Sequence, residues 1–392
     1  MEPTEREVRR LGKAMTRAEV IIRAVEGKIR WIDAATILRV TARHLRRLRD
    51  VYEGGGVEAL VDGRSGPRSK RVKPKTVEDV LRLRREKYAE FSVKHFHEQL
   101  LGKHQLRISY TWTKQLLQAA GLAERASSRG KYRRKRERRP MRGMMLHLDG
   151  STHEWVRGQP MRDLILMLDD ADGRALWGKF VEQEGTMSTL EAIDAVVRKH
   201  GRFGELYTDR GSHFCRTSRA GEGPDERQEG HVSRALRALG ISQVLARSPQ
   251  ARGRSERAFG TIQGRLPQEL RAEGIANYDD ANNYLQRVFL PDFNRRFSVK
   301  AAEKETAFLP VVGVDLEIVL SVQHERVVRA DNTVSFERVL LQLPKGPGGA
   351  HYARCPVLVH EVLGGDLVVS RLGQRLARFN RQGDLLPMRR AA

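Results

Sequence analysis

Between Met144 and Leu266 the chain lays down three apolar runs in succession and then alternates helical and extended patterns, an order that few folds accept. The runs, 144–148, 164–168 and 175–181, are each of strand length, and Asp169-Asp170-Ala171-Asp172-Gly173 between the last two reads as a hairpin-type turn. Residues 186–200 carry Leu190, Ile193, Val196 and Val197 at helical spacing. A fourth strand over 205–208, a helix over 232–239, a fifth strand over 241–246 and a helix from Gly253 complete the series. Apolar positions continue at helical spacing through Leu285, Phe289 and Phe293, so the unit closes near Ser298.

The order β-β-β-α-β-α-β-α predicts a central α/β domain of the RNase H-like type over residues 143–300, in which the first and fourth strands are neighbours. Three carboxylates then acquire defined stations. Asp149 ends the first apolar run, Asp209 follows the fourth strand, and Glu256 lies at the start of the helix that continues through Phe259 and Ile262. Two acids at strand ends and one on a helix form a set of hard oxygen donors suited to Mg²⁺ or Mn²⁺. Such an ion can activate water and stabilise a leaving oxygen on a phosphate backbone. Strand-end Asp and helix-start Glu also occur for capping reasons alone.

Charge points to the same partner. Lys and Arg number 72 against 49 acids, a net charge of +23. That excess calls for a polyanion, double-stranded DNA first. The most basic run, within a linker over 127–142, includes Arg133, Arg134 and Lys135. Ahead of it the pattern is helical. Thr16-Arg17-Ala18-Glu19 reads as a capping box opening a helix that stops at Gly27. A short helix over 33–38 follows, then a third over 42–52 capped by Thr41 and ended by Gly54-Gly55-Gly56. A short helix, a tight turn and a basic helix predict a helix-turn-helix domain over 1–66, with Arg43, His44, Arg46, Arg47 and Arg49 outward and the first four as DNA contacts. A second helical unit over 67–126 ends in a helix capped by Ser109, from which Thr111 and Lys114 would reach DNA.

From residue 311 to 385 short alternating runs separated by Gly- and Asn-containing turns predict a small β-barrel of about five strands. The expected fold is therefore multidomain: all-α helix-turn-helix units, an α/β RNase H-like domain and a C-terminal small β-barrel. The cysteines, Cys215 and Cys355, lack zinc-ligand spacing, and His95, His97 and His104 have no partner cysteines, so no structural zinc is expected. No signal peptide or membrane-spanning run is legible, which points to a cytoplasmic protein.

Three segments carry a family likeness: Asp-Gly-Ser-Thr-His-Glu-Trp (149–155), Leu-Tyr-Thr-Asp-Arg-Gly-Ser-His-Phe (206–214) and Ser-Pro-Gln-Ala-Arg-Gly-Arg-Ser-Glu-Arg-Ala (248–258). With them the chain resembles bacterial insertion-sequence DDE transposases of the retroviral-integrase superfamily, most closely the ISNCY group. The resemblance implies an integrase-type catalytic core in which Asp149, Asp209 and Glu256 bind two divalent ions. It further implies binding of terminal inverted repeats, hydrolysis at the element's ends and attack of the freed 3′-hydroxyl on target DNA, by protomers assembled as a homo-oligomer. Arg252, Arg254 and Arg257 flank the third acid, where they could hold the scissile strand, and His153 could orient a phosphate or water near the first. The 46 residues between Asp209 and Glu256 exceed the usual superfamily spacing, the excess falling in a polar stretch over 216–230 read as a surface loop. A non-catalytic DNA-binding regulator derived from such an enzyme is the alternative, and retention of all three acids speaks against it.

Overall fold

The computed structural model describes residues 5–61, 72–124, 137–209, 230–246 and 253–388, with side chains from residue 11 onward. The chain divides into two units, residues 1–77 and 78–392.

In the first unit, α1 (Glu5–Val25), α2 (Trp31–Ile37) and α3 (Ala42–Ala59) enclose a core of Ala14, Ala18, Ile21, Ala24, Ala34, Ala35, Leu45 and Leu60. The helix starts earlier than the capping-box reading of Thr16-Glu19 supposed. Thr16 lies inside α1, and its hydroxyl donates to the Gly12 carbonyl (3.0 Å), one turn back. Thr41 does cap α3, accepting from the His44 amide at 3.2 Å. Helical geometry breaks at Gly55 and Gly56, as the glycine run suggested, and resumes to Ala59. Arg43, His44, Arg46 and Arg47 are exposed on α3. Arg49 is not part of that free face, since it pairs with Asp50 (2.6 Å) and lies over the Trp31 ring.

The second unit begins with α4 (Pro74–Glu86 in full), α5 (Val93–Gly102) and α6 (Tyr110–Ala119), packed around Val80, Tyr88, Phe91, Phe96, Leu100 and Leu117. Ser109 caps α6 through the Trp112 amide (3.2 Å). These helices are tied to the α/β domain by charge. Glu98 accepts from Arg265 (2.6 Å) and Arg296 (2.5 Å), buried His95 meets Glu269 (2.7 Å), and Lys103 pairs with Glu273.

The α/β domain is a five-stranded sheet in the order β3-β2-β1-β4-β5, made of β1 (Met145–His153), β2 (Arg162–Asp169), β3 (Ala175–Val181), β4 (Glu205–Thr208) and β5 (Ser242–Leu245). β1 pairs antiparallel with β2 and parallel with β4, so the first and fourth strands are neighbours as expected. Side-chain alternation on the central strands sends apolar groups to both faces. Leu146, Leu148, Ile165 and Met167 pack against α7 (Thr186–His200) and α8 (His231–Ala238). Leu164, Leu166, Leu168 and Phe180 pack against α9 (Gly253–Gln263), α10 (Leu266–Ala272), α11 (Tyr278–Tyr284) and α12 (Leu290–Phe297). This is the RNase H-like arrangement.

A strap then runs back along the domain. Glu303 donates to the Pro140 carbonyl (3.1 Å), Ala307 to that of Arg142 (2.8 Å), and Leu309 exchanges two bonds with Arg202 (2.8 and 2.7 Å). Beyond α13 (Leu316–Val319), the C-terminal strands are β6 (Val322–Val327), β7 (Thr333–Phe336), β8 (Val339–Gln342), β9 (Pro356–Glu361), β10 (Leu367–Arg371), β11 (Gln374–Phe379) and β12 (Leu385–Leu386). The expected small β-barrel does not close among the described residues. Five strands form an open antiparallel sheet in the order β12-β11-β10-β9-β6, and β7-β8 is a separate hairpin. Val334, Phe336 and Leu341 of the hairpin pack on Val357, Val359, Val369 and Phe379, so the apolar face is buried by packing and not by ladder closure. Among the described residues no helix is long and apolar enough to cross a membrane.

Candidate active site

Asp149 does not end its strand. β1 continues to His153 because β2 supplies partners along its whole length, Asp149 standing opposite Leu166. The acid is buried, 7% exposed. On the other side, each β1 residue from Met145 to His147 stands beside the β4 residue 60 positions later. Continuing that offset sets Asp209, the first residue past β4, abreast of Asp149. On that offset, two carboxylates that sequence reasoning chose 60 residues apart lie at one level of two adjacent strands, one inside β1 and one just past β4.

The third acid arrives on α9, which packs on β1. His147, Asp149 and Ser151 alternate onto the same face of β1. Gln263 in the last turn of α9 donates to Ser151 Oγ at 2.9 Å. At the other end of α9, Arg254 pairs with Asp170, which also takes a hydrogen bond from His147 Nε2 at 2.7 Å. Both attachments span about 13 Å, nine residues of helix at about 1.5 Å and four of strand at about 3.3 Å. Hence α9 runs along β1, and Glu256 comes level with the stretch between His147 and Asp149. Its side chain is exposed. Among the described residues no group of three or more His, Cys, Asp or Glu stands close enough to hold a metal ion. The donor chemistry of the three acids suits a hard cation, and Asp149 and Asp209 stand where they could share one; Glu256 is nearby without closing the set.

The Asp169–Asp172 turn is the feature sequence reasoning missed. Read as a hairpin-type turn, it does join antiparallel β2 and β3, but it is buried: Asp169, Asp170 and Asp172 are 1%, 0% and 4% exposed. Asp169 accepts from the amides of Gly143 and Ala171 (2.8 Å each), and burial still raises its carboxyl to about 6. Burial also pushes Asp170 upward, but bonds from His147, Arg254 and the Arg139 amide outweigh it and hold this carboxylate well below the ordinary range. Residues 138–142, read as the end of a basic tether, are docked here. Arg138 donates to the Asp170 carbonyl (3.0 Å) and Arg142 pairs with Asp172 (3.3 Å). The signal available was complementarity, three acids in five residues and four arginines at 136–142 with no apolar spacing between them. A cavity of about 200 Å³ lies beside this turn, lined in part by Arg138, His147, Arg254 and Arg257. Burial, then repulsion from Arg254, lowers Arg138 from the usual arginine value.

Comparison with known proteins adds a name. A helix-turn-helix domain model matches residues 16–68. The protein y4bF of Sinorhizobium fredii (strain NBRC 101917 / NGR234), provisionally named a transposase, is 32% identical over 337 residues, 84% of this chain and 72% of that protein. The chain belongs to the transposase family. The transposase for insertion sequence IS1202 of Streptococcus pneumoniae is 23% identical over 392 residues, 91% of this chain and 84% of that protein. Among solved structures, a chain of the simian T-cell lymphotropic virus intasome in complex with PP2A regulatory subunit B56 gamma aligns with a TM-score of 0.36. Its identity is 12%, over 74% of this chain and 95% of that one.

The transposase distributes the residues chosen as DNA contacts unevenly. Thr111 and Lys114 are exposed on α6, and Arg257 is exposed on α9. Arg254, by contrast, is drawn inward to Asp170, its side chain 14% exposed. Arg133, Arg134, Lys135, Arg252 and most of the 216–230 stretch lie outside the described residues, as does Cys215. His153 packs edge-on against Trp155, ring centroids 5.1 Å apart. The three histidines of the second helical unit each meet a polar partner: His95 faces Glu269, His97 faces Thr113 (3.1 Å) and His104 faces the Tyr88 hydroxyl (3.0 Å).

Proposed function

We propose that this transposase is a DDE enzyme of the ISNCY type that binds the terminal inverted repeats of its element, cleaves the ends hydrolytically and joins the 3′-hydroxyls to target DNA. Asp149, Asp209 and Glu256 are the proposed ligands of two Mg²⁺ or Mn²⁺ ions. The observation that carries this reading is the β1–β4 register, whose 60-residue offset, continued past the paired residues, would set Asp209 abreast of Asp149 on the strand along which α9 runs. When bound, the ions supply a lowered pKa for an attacking water and charge stabilisation at the phosphate. The chain's own part is placement. Asp149 is held by the pairing of β1 with β2, where it stands opposite Leu166, and Glu256, exposed on α9, has the freedom to turn toward it. Arg257 and the exposed arginines of α3 hold phosphates, α3 reading a major groove. The domains act as 1–66 and 67–126 for end recognition, 127–142 as linker, 143–300 for chemistry and 311–385 as a C-terminal module, in a homo-oligomer that brings two ends together.

A strand-nicking assay on DNA flanking the protein's own gene, with Mg²⁺ or EDTA, tests this. Nicks at the inverted repeats that need Mg²⁺, and vanish in Glu256→Gln and Asp149→Asn while end binding stays within a few-fold, are the expected result. Tight end binding without nicking by the wild-type protein would leave a DNA-binding regulator in its place.

A further inference from the structure

Arg254 sits two residues from Glu256 on α9, yet its guanidinium is committed to the protein interior. Its partner, Asp170, is fully buried and among the described residues is held by His147 of β1, by Arg254 of α9, and by the backbone amide of Arg139 at 2.8 Å. His147 is 2% exposed and stands two residues before Asp149 on the same face of β1. The far end of α9 is fixed by Gln263 to Ser151, two residues after Asp149. The two attachments thus bracket Asp149 on the strand and Glu256 on the helix. A buried Arg–carboxylate–His connection is costly to desolvate and is poor value for stability alone. It does fix one thing that apolar packing cannot, the register of α9 along β1, because Phe259 and Ile262 would tolerate sliding that these directional bonds forbid.

We propose that His147, Asp170 and Arg254 form a positioning clasp, with Gln263–Ser151 as its second point, which sets how far Glu256 reaches toward Asp149 and thereby tunes the site for its divalent ions. The inference rests on the three-acid reading above and deepens it. It assigns Arg254 a role inside the protein and takes it off the list of DNA contacts, and it gives the buried Asp170 turn a purpose. Misplacing a catalytic group by about 1 Å costs about 100-fold in rate, and losing outer partners of metal ligands costs about 10- to 100-fold in affinity.

The full chain and its variants Arg254→Met, Arg254→Lys and Gln263→Ala are compared for three quantities. These are binding to a duplex of the gene-flanking DNA, Mg²⁺-dependent nicking, and the Mn²⁺ concentration at half-maximal thermal stabilisation without DNA. Arg254→Met is expected to lose about 100-fold in nicking and to need about tenfold more Mn²⁺, with DNA binding within twofold. Arg254→Lys should recover part of both, and Gln263→Ala, which removes one neutral bond and leaves the core intact, should shift both in the same direction by less. Removing a positive charge beside carboxylates would by itself lower the Mn²⁺ midpoint, so the sign separates positioning from charge. The clasp is overturned if Arg254→Met nicks within twofold of wild type, if its Mn²⁺ midpoint is unmoved or lowered, or if DNA binding falls as far as nicking does. If wild type fails to nick but its Mn²⁺ midpoint rises in Arg254→Met, the strand-cleavage reading fails and the clasp stands. If wild type neither nicks nor binds Mn²⁺, both fall.

Discussion

Glu98 is the hinge pin between the second helical unit and the α/β domain, and replacing it measures how firmly the two are joined. Its carboxylate, 20% exposed, accepts from Arg265 at 2.6 Å and Arg296 at 2.5 Å. Burial raises this carboxyl, but the bond and charge of Arg265, followed by the charges of Arg296 and His95, bring it below the ordinary glutamate value. Breaking a buried pair by removing one partner costs about 3–5 kcal/mol. Arg296 keeps Asp292 (2.5 Å) and Arg265 keeps its place over the Phe297 ring, so Glu98→Ala should cost near the lower end, about 3 kcal/mol. Urea unfolding of the full chain at neutral pH, in a cycle with Arg265→Met, reads both the loss and the pair's coupling. The sign with pH is fixed. A carboxyl lowered in the fold stabilises above its unfolded pKa of about 4.3 and loses that contribution as pH falls through its folded value. The gap between wild type and Glu98→Gln must therefore narrow as the pH drops below about 4. A Glu98→Ala cost under about 0.5 kcal/mol, or a gap that widens on acidification, would refute the ion-pair account.

Three further outcomes follow from other parts of the chain. His360 is 1% exposed between Ser321 and Ser370, and burial lowers it to about 4. Stability should be full above about pH 6.5 and fall by about 3 kcal/mol toward pH 4, a slope that His360→Asn should flatten in thermal melts over that range. Gly201 ends α7 at φ +100°, and a Cβ there would lie 2.5 Å from the Leu309 carbonyl oxygen. Gly201→Ala should therefore destabilise by about 3 kcal/mol, read by calorimetry; a melt unchanged within a degree would count against the strap. On α3, the double change Arg46→Ala with Arg47→Ala should reduce the slope of log affinity against log salt by about two in a DNA titration, and an unchanged slope would remove both from the DNA-contacting face.

Much of the catalytic fold was readable because its signals are local. Strands β3 and β4 and helix α7 coincide with their apolar periodicity, since each is bounded by turn or cap residues that permit no other ending. The end of β1 was not readable: Gly150 to His153 hold no apolar run to mark a strand and extend because β2 lies opposite. Nor was the depth of Asp169–Asp172, since a turn of acids looks solvated until the arginines of 138–142 are seen to cover it. The capping box at Thr16 failed for the opposite reason, a local motif overruled by the longer helix around it. The site divides along the same line. That β1, which carries Asp149, and β4, which leads to Asp209, are neighbours was implied by the strand order, whereas the commitment of Arg254 to Asp170 is a long-range pairing that no spacing announces.

The strap of residues 303–309 has a consequence in time. It supplies backbone partners to Pro140, Arg142 and Arg202, which sit at the entries to β1 and β4, the two strands that lead to Asp149 and Asp209. A nascent chain released or paused after α12 would own every residue of the proposed triad and still lack these bonds to both strand entries. A product truncated near Ser298 would therefore keep all three acids and lose the strap's bonds at both strand entries.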